Sequence, residues 1–279
     1  MTKIITPQYA FQAGDLKVKF GENAPLQSHI VSAAQHNSFE LMTRAYNELF
    51  VKLFPLDQGG EPLEKWMNRI SFKEADSRYI VNIVGEGLEK PSTAKLRGIS
   101  VGIYYRDADV GLLAYNVVDE NARNMGIGKI MVEQRKAAML AEAEAAGKKL
   151  RGVFLECNNP ARISAAEDSI DPNKRIAMYQ KWGARVVDID YVCPDEAPGG
   201  GKVGTLILLA FPHPKTGKYP GKKDVEAYLR GFYQKHGIAK PDEDVDFQGM
   251  MEQLHNGRKG AMRKLAKPAA NEDVMRLRA

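Results

Sequence analysis

The hydrophobic and polar positions of the chain change their period several times, and each period predicts one type of element. Apolar residues recur at helical spacing in five segments, which cover residues 39–53, 61–70, 127–145, 176–182 and 224–236. Apolar runs rich in β-branched and aromatic residues predict six strands, at residues 78–84, 98–105, 110–118, 151–157, 184–192 and 203–211. Residues 16–20 alternate between apolar and charged and predict one more strand.

The order of these elements predicts the fold class. Two helices precede three strands with short links, which is typical of an antiparallel meander, and helices then alternate with the remaining strands. We expect an α/β (α+β) fold with a mixed, mostly antiparallel twisted sheet flanked by helices. We divide the chain into an N-terminal segment (1–38) that contributes the first strand, a core (39–214), and a C-terminal helical extension with a basic tail (215–279).

Residues that favour helix ends stand at the predicted boundaries. Ser38 is placed to cap the first helix, and Pro55 ends that helix because proline cannot continue the hydrogen-bond ladder. Gly147, Gly183 and Gly237 follow later helices, where glycine accepts the left-handed conformation that commonly ends a helix.

The composition indicates a soluble globular protein without a metal. Of its 279 residues, 44% are hydrophobic and 27% charged. No apolar run is long enough for a membrane helix and the N-terminus lacks a signal-peptide core, so we expect a cytoplasmic protein that does not enter a membrane. Cys157 and Cys193 lie in strand-like runs and are expected to be buried free thiols. The five histidines show no ligand spacing, so no metal is expected.

The net charge of +5 is concentrated at the C-terminal end. Residues 257–279 carry seven Lys and Arg against Glu272 and Asp273, a surplus that equals the whole net charge. Such a tail could attract nucleic acid or an anionic membrane, or it could be a solvated end. We favour a solvated end and expect no nucleic-acid partner.

The segment from Val117 to Ile130 carries the strongest chemical signal: a strand, a turn with two glycines, and a helix start. Gly126 and Gly128 would let backbone N–H groups approach a ligand, and the helix N-terminus favours phosphate groups. Two nucleotide-binding motifs are excluded: the Rossmann fingerprint needs glycine where Met131 stands, and the P-loop needs Ser or Thr where Ile130 stands. A plain glycine turn between strand and helix remains the alternative.

Three motifs in order resemble those of the GNAT N-acetyltransferases, over about residues 39–212. Arg-Asn-Met-Gly-Ile-Gly (123–128) resembles the pyrophosphate loop of that family, Leu-Glu-Cys-Asn (155–158) its next strand, and residues 176–184 its helix with Tyr-x-Lys-x-Gly. The chain departs from the family pattern at Asn124, at Ala184 and in an insertion over 159–172. Arg175 to Tyr179 followed by Tyr191 to Pro194 resembles one bacterial branch, to which we attach no substrate.

The resemblance implies that acetyl-coenzyme A is the cosubstrate and that the primary amine of an unidentified acceptor attacks it directly in a ternary complex. It places cofactor contacts at Asn116, Val117, Val118, Arg123, Asn124, Met125, Gly126, Ile127, Gly128, Lys129, Asn158 and Lys181. A sensor or scaffold that binds an acyl-coenzyme A without turnover is the alternative function. A homodimer is left open.

The resemblance also implies the catalytic residues. Tyr179 matches the family's tyrosine that protonates the departing thiolate. Glu156 is the first candidate for the base that deprotonates the amine, and a carboxylate that only binds the substrate cation is weighed equally. Asp119 and Tyr115 are weaker candidates for the base.

Overall fold

The computed structural model describes residues 26–35, 37–56, 60–71, 76–194, 201–257 and 261–263. Its helices are α1 (Ser38–Ala45), α2 (Leu63–Ser71), α3 (Ile127–Ala145), α4 (Pro172–Lys181), α5 (Lys222–Lys235) and α6 (Val245–Asn256). Its strands are β1 (Gln27–Ile30), β2 (Ser77–Glu86), β3 (Lys95–Tyr105), β4 (Val110–Val118), β5 (Gly152–Asn158), β6 (Arg185–Val187), β7 (Cys193–Pro194), β8 (Lys202–Val203), β9 (Leu206–Phe211) and β10 (Met262–Arg263).

The chain divides into two compact units, and β4 contributes to both. The first unit comprises the chain up to residue 106 together with residues 114–149. Its strands follow the order β1-β2-β3-β4, with β2 antiparallel to both β1 and β3. Every residue of β2 from Tyr79 to Glu86 is buried. Because successive side chains point to opposite faces, both faces of this strand are covered, and α1, α2 and α3 all pack against it.

A buried polar cluster explains why a glutamine interrupts the apolar stripe of α3. The side-chain oxygen of Gln134 accepts hydrogen bonds from Ser28 Oγ at 2.7 Å and from Asn82 Nδ2 at 2.6 Å. Ser28 Oγ also lies 2.9 Å from Asn82 Oδ1. The buried amides of Asn82 and Gln134 therefore have partners, and the cluster ties β1, β2 and α3 together.

The second unit comprises residues 107–113 and the chain from residue 150 onward. Its strand order is β4-β5-β9-β6-β10, in which β4 is parallel to β5 and the other pairs are antiparallel. The apolar run of β5 is buried, with Val153, Phe154 and Leu155 at most 1% exposed. Helix α5 packs on this strand, and the Tyr228 ring stacks on Phe154 with centroids 4.4 Å apart.

The predicted fold class is confirmed: a mixed, mostly antiparallel sheet is flanked by helices, and helices follow the last long strand. The predicted strand at residues 16–20 lies outside the described residues. Helix α4 begins at Pro172, earlier than predicted, because Asp171 caps a polar first turn that shows no apolar periodicity. Helix α6 and strand β10 were missed by the sequence pattern.

Three helix or strand boundaries differ from those predicted from the sequence. Asn37, and not Ser38, is the N-cap residue of α1, while Ser38 is buried with its Oγ 2.7 Å from His29 Nε2. The first helix gives way to a π-helix, Tyr46–Phe50, before the predicted end at Leu53. The predicted strand over 184–192 ends at Val187, because the N–H of Ile189 donates to the Val187 carbonyl in a tight turn.

We expect Leu229→Ala to destabilise the second unit. Leu229 is 1% exposed on the buried face of α5, and a leucine-to-alanine change in a core costs about 2–5 kcal/mol. Urea unfolding followed by circular dichroism measures this loss as a lower midpoint. Gln234→Ala, at an exposed position of the same helix, is the control and should change stability by no more than about 0.5 kcal/mol. Equal midpoints for the two variants would contradict the packing of α5 into the core.

Candidate functional site

The junction between β4 and α3, within the first unit, forms one candidate functional region. After β4 ends at Val118, a short 3-10 turn follows, and α3 begins at Ile127. The Asp119 carboxylate caps this turn by accepting the N–H of Asn121 at 3.0 Å. Asp119 is therefore engaged in local structure, which weakens it as a candidate base.

Two residues of the loop have left-handed backbone conformations. Gly126, the residue before α3, has φ 84°, and Asn124 has φ 64°. Asparagine is among the few residues that tolerate this conformation, which explains how Asn124 can stand where the GNAT pattern commonly has glycine. At Gly126 an added Cβ would meet no atom of the described residues within 4 Å. The backbone there faces open space, as a ligand-binding turn requires.

The loop separates residues that anchor it from residues that face solvent. Ala122 and Ile127 are buried against Val84 and Met131, and Met125 packs on this cluster. The four exposed residues of the predicted loop are Arg123, Asn124, Gly126 and Lys129. Two cationic side chains and an open backbone therefore surround the N-terminus of a 19-residue helix, an arrangement suited to anionic oxygen atoms.

The end of β4 is fixed by two hydrogen bonds of the Asn116 side chain. Asn116 accepts a hydrogen bond from Arg135 at 3.1 Å and donates to the Gly128 carbonyl at 3.3 Å. Val117 is buried, so only its backbone is available to a ligand, and Val118 is half-buried. Tyr115 packs in an aromatic cluster, with its ring centroid 5.0 Å from those of Phe50 and Phe54.

Glu156 on β5 is the centre of a second candidate functional region, within the second unit. One of its oxygens, Oε1, accepts hydrogen bonds from the hydroxyl groups of Tyr191 and, at 3.1 Å, Tyr228. Burial and the adjacent Glu156 charge raise the pKa of Tyr191 well above its usual value, so this phenol keeps its proton. Two hydroxyl donors thus converge on one carboxylate oxygen.

The sequence prediction missed both tyrosines as partners of Glu156. Tyr228 was placed on the apolar face of α5, where it is indeed fully buried, but no sequence spacing indicated which strand residue it would meet. Tyr191 was noticed only as part of a branch-specific motif. Each lies more than 30 residues from Glu156 along the chain, so only the fold brings the three together.

Asn158, two residues after Glu156, is tied to the insertion at 159–172. Its side-chain amide donates to Asp168 at 2.9 Å, and Asp168 also pairs with Arg175 of α4. The insertion is therefore fixed to both β5 and α4 by one carboxylate. The Asn158 side chain serves this contact, so the predicted cofactor role of Asn158 would fall to its backbone.

Tyr179 lies in the C-terminal half of α4, a helix that packs against β5. Its half-buried ring meets the rings of Trp182 and Phe211 edge to face, at centroid distances of 5.4 and 6.5 Å. These contacts fix the ring plane and hence the direction of the phenol. Lys181, the remaining predicted contact, is exposed.

The described residues contain neither a membrane-spanning helix nor a metal-binding group. No helix among them is both long and apolar enough to cross a membrane. Within the same ranges, no group of three or more His, Cys, Asp or Glu side chains is arranged to hold a metal ion.

No protein-family model matches the chain, and no curated protein matches it in sequence. The structure is similar to that of a Bacteroides thetaiotaomicron protein assigned to the GNAT acetyltransferases, with a TM-score of 0.52 and 17% identity, covering 77% of this chain and 99% of that one. The resemblance of the three motifs is thereby confirmed at the level of the fold: the chain has the fold of the GNAT N-acetyltransferases. At this identity the similarity establishes the fold alone.

Two further structures match with TM-scores below 0.5 and add nothing to the fold assignment. The ribosomal-protein-S18-alanine N-acetyltransferase of Escherichia coli has a TM-score of 0.40 and 14% identity, covering 67% of this chain and 94% of that one. A Bacillus subtilis acetyltransferase in complex with coenzyme A has a TM-score of 0.39 and 15% identity, covering 67% and 97%.

We expect both cysteines to resist thiol reagents in the folded protein. Burial raises the pKa of Cys157 to about 12, so at pH 8 only about one molecule in 10⁴ carries the reactive thiolate. Cys193 is also buried, at 3% exposure. Labelling with a maleimide, followed by intact-mass spectrometry, should show no rapid addition until the protein is denatured. Rapid addition to one cysteine in the folded state would contradict its burial.

Proposed function

We propose that the protein transfers an acetyl group from acetyl-coenzyme A to a primary amine, by direct attack within a ternary complex. The observation that carries the proposal is the loop from Arg123 to Lys129, with its left-handed, open Gly126 at the start of α3. The GNAT fold supports it, and the loop joins the end of β4 to the start of α3, which is the strand–turn–helix order that the sequence resemblance implied.

The loop would bind the diphosphate of the cosubstrate. Unpaired N–H groups of the first turn of α3 would donate to its oxygens, and Arg123 and Lys129 would neutralise its charge. Backbone N–H groups at residues 116–118 of β4 would bind the pantetheine arm and the thioester carbonyl. Donors already fixed in a strand stabilise the tetrahedral oxyanion at no cost of reorganisation.

The neutral amine would attack the thioester carbonyl carbon and form a tetrahedral intermediate. Collapse of this intermediate breaks the carbon–sulfur bond, and Tyr179 would protonate the departing thiolate. The extra proton on the amine leaves to solvent or to a base, which gives an amide and free coenzyme A. Holding the amine and the thioester in register supplies the main rate gain.

Glu156 would act chiefly as an anionic binding group for the substrate ammonium. Both Tyr191 and Tyr228 donate to its Oε1, so two residues distant in the chain hold this carboxylate in place. A carboxylate held in a fixed position is suited to binding a cation. Of the two roles that the sequence left equal, the proposal therefore takes the binding role, with a cationic amine as the acceptor.

Binding of acetyl-coenzyme A should depend on Gly126, at the start of α3, but not on Gly147, which follows the end of the same helix. Gly126→Val puts a side chain into the open space of the loop and should weaken binding at least about tenfold, measured by isothermal titration calorimetry. Gly147→Val is the matched control, because Gly147 ends the same helix with φ 69° and equally open surroundings. Both variants carry similar backbone strain, so equal affinity in the two would refute the loop assignment.

Turnover should depend on the hydroxyl of Tyr179. Tyr179→Phe keeps the ring contacts but removes the acid, so kcat should fall about 10²-fold with little change in the Michaelis constant for acetyl-coenzyme A. An amine library with a thiol-release assay provides the measurement.

The control for this variant is Tyr219→Phe, which removes a hydroxyl that donates to the Gly183 carbonyl at 2.6 Å. Its kcat should stay near that of the wild type. Wild-type turnover in Tyr179→Phe would remove Tyr179 from the mechanism. Tight acetyl-coenzyme A binding without thiol release on any amine would instead indicate a sensor.

A further inference from the structure

Arg135 is a fully buried cation in the middle of α3, at 0% exposure. Arginine is almost never fully buried unless its charge is compensated, because removing a guanidinium from water costs much free energy. An apolar residue would continue the buried face of this helix, on which Met131 and Met139 are also fully buried. The full burial of a cation at this position therefore indicates that its hydrogen bonds have a specific role.

The guanidinium bridges two neighbouring strands. Its Nη1 donates to the Val101 carbonyl of β3 at 2.6 Å and to the Tyr115 carbonyl of β4 at 2.8 Å. Its Nε donates to the Met131 carbonyl on its own helix at 3.1 Å. One planar group with fixed donor directions therefore sets the position of β4 relative to β3 and α3.

A second link runs from the same guanidinium to the glycine loop. Nη2 donates to Asn116 Oδ1, and Asn116 Nδ2 donates to the Gly128 carbonyl. Arginine can only donate and a carbonyl can only accept, so both partners require the same orientation of the Asn116 amide. The end of β4 and the first turn of α3 are thus joined through one side chain.

We propose that Arg135 is a positioning residue, which holds the acyl-binding end of β4 in register with the phosphate-binding loop. The inference rests on the proposed function, since it assigns these two segments to opposite ends of one extended ligand. A ligand that spans both segments needs them at a fixed separation. A ligand that occupies only the loop does not. Loss of Arg135 should therefore weaken the binding of a ligand that spans both segments more than the binding of a ligand that occupies only the loop.

The test compares two ligands by calorimetry: acetyl-coenzyme A, and 3′-phosphoadenosine 5′-diphosphate, which carries the nucleotide and the diphosphate but no pantetheine arm. In Arg135→Leu, the Kd of acetyl-coenzyme A should rise about tenfold, the loss expected from one well-placed contact, while that of the nucleotide stays within about twofold. Arg135→Lys keeps a cation that can reach both strand carbonyls and should restore part of the difference.

The matched control is Met139→Ala, a change at a fully buried position of the same helix that lies outside the network. It should lower stability and leave the ratio of the two affinities unchanged. If Arg135→Leu does not fold, Asn116→Ala keeps Arg135 and its bonds to the two strand carbonyls but removes the Asn116 bonds to Arg135 and Gly128. It should still weaken the binding of acetyl-coenzyme A more than that of the nucleotide.

The outcomes separate the inference from the proposed function. A wild-type protein that binds acetyl-coenzyme A, with Arg135 and Asn116 variants that lose both ligands equally or neither, would overturn the positioning role and leave the function standing. A wild-type protein that binds neither ligand would overturn the proposed function and the inference with it.

Discussion

The first unit depends on one constraint: a buried strand must pass into a buried helix through a turn that leaves its backbone open. Asp119 caps the start of this turn, and the left-handed Gly126 ends it. Ala122 and Ile127 anchor it in the core. The exposed part of the loop can then present N–H groups without collapsing onto its own side chains, because a ligand-binding backbone must be rigid and uncovered at once.

The junction is stiffened from inside by charge and not by apolar packing alone. Hydrogen bonds from the Arg135 guanidinium to two strand carbonyls and to Asn116 have defined directions, whereas apolar contacts permit small sliding movements. Burying a cation lowers stability, but its directed hydrogen bonds fix the positions of the two strands. Such a cost is typical of functional sites, where geometry has to be held closely.

In the second unit, residues that are far apart in the chain fix the position of one carboxylate, that of Glu156. Tyr228 comes from α5, beyond all three motifs, and its ring stacks on Phe154 while its hydroxyl reaches Glu156. The insertion at 159–172 is fixed by Asp168 to Asn158 and Arg175. The segments that depart from the family pattern are thus attached to the strand that carries Glu156, where an acceptor would have to be recognised.

The sequence by itself determined the long elements, because their burial shows as periodicity: β4 was predicted to its last residue, and the glycine loop was found from its residue types. The strand β10 and the helix α6 could not be predicted from the sequence pattern. Strand β10 has only two residues and exists through its pairing with Val186 and Val187 of β6, and Gly249 weakens the helical pattern of α6. The same holds for the candidate site: the motif resemblance proposed Tyr179 and Glu156, but it could not indicate that Tyr191 and Tyr228 meet Glu156 or that Arg135 meets Asn116. Tertiary structure decided these contacts, because hydrogen bonds between distant segments leave no periodic trace in the chain.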